Sequence, residues 1–409
     1  NDIGIACAAC HGPGEEHIKF HQNPANRYLH HWADGADPTI ANPARMDGLS
    51  SSMVCGQCHS IWDFNNPTDS ATADRLGSMF QPGDKTLKLG TIPLPYSASP
   101  EEREAILAEH GNSFWGDGRI RVTGREFQGT VESPCFKGGQ FSCISCHEMH
   151  PKNADSTTLR RWPNQQLTDG IRGDQACMQC HQYMANRIPA HTNHALGSSG
   201  SSCYNCHMPH NSYGLLRAIR THQISIPTVD ESLTYGRPNA CNLCHLDQPL
   251  GWTAQKLAKW YGQPIPQMTT EDQEIAAGAK WLVKGDAGQR ALVAWSMGWE
   301  PAQRASGYEW FYPFLIMELN DPYAAVRFTA WKALQSLPGF ADFEYDYTTN
   351  DAGQKAAADR AYAQWYQIKH APRGGYRWQT LLQPNGEFRS EALNRMLKER
   401  NNRNVYLLE

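Results

Sequence analysis

The stretch Ala6–His17 reads ACAACHGPGEEH. Two cysteines separated by two residues, with a histidine directly after the second, admit three chemistries: half of a zinc site, a redox dithiol, or an attachment point for c-type haem. The rest of the chain decides among them. The pentapeptide recurs as CAACH (Cys7, Cys10, His11), CGQCH (Cys55, Cys58, His59), CISCH (Cys143, Cys146, His147), CMQCH (Cys177, Cys180, His181), CYNCH (Cys203, Cys206, His207) and CNLCH (Cys241, Cys244, His245). These six copies take all but one of the 13 cysteines. A thioredoxin-like site needs one such pair beside a βαβ pattern, which the sequence lacks. Zinc sites built from paired motifs would use the cysteines but give no reason for a histidine after every second one. Haem attachment does: the two thiols form thioethers with the vinyl groups, and the adjacent imidazole is placed under the iron. The motif cysteines are therefore assigned to six covalent haem c groups, and the motif histidines to proximal iron coordination.

The motifs lie between residues 7 and 245, about one for every 40 residues, a length that seldom builds a core without a metal or cofactor. Gly, Pro, Asn and Ser are frequent there, as in HTNHALGSSGSSCYNCHMPHNSYG. The expected fold is mainly α: a loop-rich multihaem domain over 1–262 with little β structure, then an α-helical domain over 263–409.

Of 17 histidines, eleven lie outside the motifs: His17, His21, His30, His31, His110, His150, His191, His194, His210, His222 and His370. All but His370 fall in the haem segment, a clustering that favours bis-histidine iron and low potentials. A histidine a few residues beyond its own motif is tied to the proximal face, so His17, His150 and His210 would serve a neighbouring haem or none. The leading distal candidates are His17, His150, His194 and His222, followed by His110 and one of His30 and His31, with His31 taken. Met149, Met178 and Met208 lie in or beside motifs and are read as packing residues. Cys135, outside every motif, reads as a buried thiol.

The formal charge of -4 and the lack of long Lys/Arg runs exclude a nucleic-acid partner. The longest apolar run, FYPFLIMEL at 311–319, is far short of the ~20 residues that cross a bilayer. The chain as it stands reads as soluble and, with no leader before Asn1, as a processed or truncated form.

With these residues in view, the sequence resembles the periplasmic multihaem c-type cytochromes related to the tetrahaem cytochromes of nitrifying bacteria. The resemblance lies in CAACHGPGEEH, ANPARMDGLSSSMVCGQCH, SPCFKGGQFSCISCHEMH, HTNH, CYNCHMPH, RTHQISIP and RPNACNLCH, and covers residues 1 to about 260. It implies bis-histidine ligation by His17, His150, His194 and His222, with His210 a weaker correspondence, and a periplasmic or extracellular location.

After residue 262 the composition turns to Ala, Leu, Trp, Glu and Lys. LNDPYAAVRFTAWKALQSLPG, Leu319–Gly339, pairs an Asp-Pro turn with Val326, Ala330, Ala333 and Leu334 on one helical face, the pattern of a HEAT-like repeat. Residues 271–285 and 287–298 fit partner helices. The expected function is electron transfer along the haem chain, with redox proteins or further copies of the chain as partners. The alternatives are a reductase with one five-coordinate haem acting on a small nitrogen or sulfur oxyanion, and a subunit of a haem filament or membrane-associated redox complex.

Overall fold

The computed structural model describes residues 5–32, 35, 37–77, 79–139, 141–150, 166–168, 170–171, 173–369, 375–403 and 405, with the side chains of His30 and His31 outside that description. The chain is mainly helical and rich in irregular connections, as expected. Ladders among the described residues are confined to two antiparallel ribbons, Asp63–Phe64 with Gly90–Thr91 and Ser212–Gly214 with Arg217–Ile219. The chain packs as two compact units, one of residues 1–106, 124–196 and 222–225, the other of residues 107–123, 197–221 and 226–409. Motifs one to four thus belong to the first unit and motifs five and six to the second, and the change of composition at residue 262 falls inside the second.

The first unit has short helices and a small apolar core. Asp47 caps the helix Gly48–Gly56 by accepting from the Leu49 and Ser50 amides, which fixes where the chain turns helical ahead of Cys55. Met53 and Val54 of that helix pack with Phe80, Leu87, Phe127 and Val131. Gly56 is required here, since a Cβ would lie 2.7 Å from the Phe127 ring. Among the described residues few apolar side chains are buried over this long segment, the pattern of a chain whose core a cofactor would complete.

The second unit buries far more. Helices Leu250–Tyr261, Ala277–Lys284, Ala287–Met297, Phe311–Glu318, Ala324–Gln335 and Asp351–Ile368 surround a continuous core that includes Leu282, Met297, Phe311, Phe314, Phe340 and Trp365. Asp286 opens the helix Ala287–Met297 with a capping box to Gln289. Val326, Ala330, Ala333 and Leu334 are buried together on the helix Ala324–Gln335, the face their spacing predicts. Small residues let this helix approach its neighbour: a Cβ on Gly298 would stand 2.9 Å from the Ala333 Cα. Between these helices Arg290 is buried and bonded to Asp321 at 2.7 Å, and Arg400 reaches Glu318 and Asp321 at 2.7 and 2.6 Å. The C-terminal segment is thereby held to the helices by charge as well as by packing.

Candidate haem-binding site

All six motifs form a turn of helix or a 3-10 turn: the first and fifth are short α-helices, Cys7–His11 and Cys203–His207, and in the other four the histidine amide bonds back to the first cysteine, His59 to Cys55, His147 to Cys143, His181 to Cys177 and His245 to Cys241. This turn brings both thiols and the imidazole to one side of the backbone, as a doubly attached ring over its own ligand requires.

Two motif histidines each face a second histidine from elsewhere in the first unit. His11 and His150 have ring centres 6.1 Å apart and planes 24° apart. His147 and His222 have centres 6.2 Å apart and planes 22° apart. Rings in van der Waals contact would be closer, since carbon atoms meet at about 3.5–4.0 Å. Two imidazoles sharing one metal, each nitrogen about 2 Å from the ion, place their ring centres about 6 Å apart. The residues therefore fit an iron held between two axial histidines in both places.

Hydrogen bonds select the nitrogen that would face a metal. His11 Nδ1 donates to the Ala41 carbonyl at 2.7 Å, so its lone pair is on Nε2. His194 Nδ1 does the same with the Thr192 carbonyl at 2.6 Å. His59 Nδ1 pairs with Glu126 Oε2 at 2.9 Å. Burial would raise the Glu126 carboxyl, but the bond from His59 and that from the Gly124 amide oppose it and keep the carboxyl below its usual range. A carboxylate in this position orients a ligating imidazole and makes it more basic.

His222 is delivered by a strap laid across the segment Gly129–Ser133. Ser133 Oγ accepts from the Ile224 amide at 2.9 Å and shares its one proton between the Gly129 carbonyl at 2.8 Å and the His222 carbonyl at 3.1 Å. Gly129 permits the approach, as a Cβ there would lie 2.9 Å from the Gln223 nitrogen. Ser133 and Gly129 carry no motif, and their role is visible only once the strap is in place.

The other candidates are placed as follows. His17 shares Asp37 with His21, one turn further along the helix Glu15–Gln22. His17 Nδ1 lies 3.1 Å and His21 Nε2 2.7 Å from the carboxylate, and Thr39 is 3.2 Å from His17. Partial burial of Asp37 is outweighed by its bonds to Thr39 and His21, which hold its carboxyl below the usual range. His110 ends the helix Pro100–His110, where its carbonyl accepts from the Ser113 amide. His210 packs 4.7 Å from Trp295 and 5.0 Å from Trp299, and burial pushes its pKa down to about 3. His30 and His31 stand on the helix Pro24–Trp32, with side chains outside the described residues, and His370 lies outside them altogether. Met149 is partly exposed. Cys135 is half-buried in the short helix Pro134–Lys137, and burial raises its thiol pKa.

In the second unit Arg220 anchors the fifth motif, donating to Asn205 Oδ1 at 2.7 Å and to the Met208 carbonyl at 3.1 Å. His245 of the sixth motif rests 5.0 Å from the Trp252 ring. Among the described residues no helix is long and apolar enough to cross a membrane.

A helical, loop-rich chain with repeated CxxCH turns and facing histidine pairs has the features of a c-type cytochrome. Over 200 residues, 46% of its length, it is 24% identical to the cytochrome c nitrite reductase subunit NrfA of Nitratidesulfovibrio vulgaris strain Hildenborough. The relation is to c-type cytochromes, and haem c is the cofactor it implies. The chain spans 35% of that relative's length. No family model matches the sequence, and no solved structure matches it.

Proposed function

We propose that this chain conducts electrons through six covalently attached c-type haems, mostly bis-histidine and of low potential. The observation that carries the reading is the pair of facing histidines at each of two motifs, His11 with His150 and His147 with His222, at the separation one shared metal dictates. Haem c, when bound, supplies a one-electron ferric/ferrous couple. The twelve motif cysteines would hold it, the six motif histidines would ligate it, and His150 and His222 would be the second ligands at the first and third motifs. His17, His194, His110 and His31 are the proposed ligands for the remaining irons. A closed sixth position denies substrate a place on the metal, so electrons pass without bond chemistry.

Attachment of haem to thiols belongs to an oxidising, exported compartment, and the location proposed is periplasmic or extracellular. Residues 263–409 are proposed as a HEAT-like helical module that docks redox partner proteins or further copies of the chain, in a filamentous or membrane-associated assembly. The second reading is a reductase with one five-coordinate haem, favoured by the activity named for the Nitratidesulfovibrio relative. Two measurements decide. Denatured intact mass should exceed the polypeptide by six haems, and the reduced low-spin spectrum should not change under carbon monoxide. Carbon monoxide or nitrite binding at one iron of the unmodified protein would replace the conduit by the reductase.

A further inference from the structure

The second and fourth motifs, CGQCH and CMQCH, both carry glutamine just before the second cysteine. Gln57 Nε2 donates to the Val54 carbonyl and to the Ala9 carbonyl, both at 2.9 Å. Gln179 Nε2 donates to the Ala176 carbonyl and to the Ser145 carbonyl, both at 3.2 Å. The register is identical. One partner is the residue just before the glutamine's own motif. The other is the residue just before the second cysteine of the preceding motif, Ala9 before Cys10 and Ser145 before Cys146.

Both glutamines cap the C-terminus of the helix that opens their motif, Gly48–Gly56 and Gln175–Met178, with the same right-handed helical backbone, and this accounts for the bond to the carbonyl three residues back. It does not account for the second bond, to a motif 48 residues earlier for Gln57 and 34 for Gln179. Both acceptors at each site are carbonyls, so the site needs an NH2 group with two hydrogens, which an amide has and a carboxylate lacks. The remaining motifs lack it. The sixth has Leu243 at this position. The fifth has Asn205, whose amide goes to the Ser199 carbonyl and whose oxygen accepts from Arg220.

We propose that Gln57 and Gln179 are positioning residues that clamp the second motif to the first and the fourth to the third, so that the attached haems form two close electron-exchange pairs. The proposal rests on the conduit reading. Each motif is joined to its porphyrin by two thioethers and an axial ligand, so fixing one motif backbone to another fixes the attached groups. Exchange within a pair moves one electron: the donor iron goes from ferrous to ferric as the acceptor goes from ferric to ferrous, and no bond forms or breaks.

The test uses the full haem-loaded chain with Gln57→Glu, Gln179→Glu and both together. Neighbouring porphyrins couple excitonically, which gives a split Soret circular dichroism band. The expected result is an unchanged haem mass and low-spin spectrum, a split band weakened in each single variant, and a greater loss in the double variant. A double variant with the parent's split band and reductive titration overturns the clamp. Should the glutamate variants fail to load haem, Gln57→Asn and Gln179→Asn are read in the same way, since they keep the amide but are one methylene too short to span both carbonyls. Failure of the conduit reading is distinguishable, because it shows in the parent protein as missing haem mass or an iron that binds carbon monoxide.

Discussion

His147 and His222 face one another with ring centres 6.2 Å apart and planes 22° apart, although the fourth and fifth motifs lie between them in the chain. Replacing His222 with alanine should open the third iron while leaving covalent attachment intact. His150→Ala should do the same to the first. In each variant carbon monoxide should give a difference spectrum for a single haem, against none in the parent. A variant that stays insensitive to carbon monoxide refutes the pairing for that iron.

Glu126→Gln keeps the shape beside His59 but removes the charge that makes the imidazole more basic. The ferric state is stabilised by that charge, so one potential should rise. A loss of about 1 kcal/mol corresponds to roughly 40 mV for one electron. A spectroelectrochemical titration of parent and variant measures the shift, and a fall in potential would contradict the assignment.

Gly56→Ala should impair the second site through packing alone. The new methyl would meet the Phe127 ring at 2.7–2.9 Å, and forcing an extra carbon into a packed core costs about 1–3 kcal/mol. The expected outcome is a mass distribution containing a species one haem short. Gly14→Ala is the control, because a Cβ there meets nothing within 4 Å.

Glu318 and Asp321 should give stability opposite slopes with pH. Burial drives the Glu318 carboxyl well above its ordinary value, with Arg400 opposing. A raised folded pKa gives stability that is complete below the unfolded value and lost as pH rises through the folded one. Glu318→Gln removes that loss, so its advantage over the parent in urea midpoint should grow with pH, by at most about 1.4 kcal/mol per pH unit. Burial also opposes the ionised form of Asp321, but its bonds with Arg290 and Glu318 prevail and lower its pKa. Its contribution is present above the unfolded value and lost as pH falls through the folded one. Asp321→Asn should therefore cost most near neutrality and least in acid.

The attachment chemistry was legible because it is local: thiols and imidazole within five residues fix their own geometry once the chain makes one turn. The buried face of Val326, Ala330, Ala333 and Leu334 was legible for a similar reason, since helical period alone aligns those residues. The carboxylate beside His59 was not, because Glu126 is one acidic residue among many and becomes distinct only where Phe127 packs its helix beneath the second motif.

The sequence by itself determined that the chain carries six attachment motifs, that spare histidines crowd the same segment, and that the C-terminal third is helical, all properties written in spacing and composition. Only the tertiary structure brought His150 opposite the first motif and His222 opposite the third, and hydrogen-bonded the second motif to the first and the fourth to the third. Ligand pairing depends on loops that return across the chain, such as the strap held over Gly129 by Ser133. Their course is set by close backbone approach and single hydrogen bonds, which leave no periodic trace in the residues that make them.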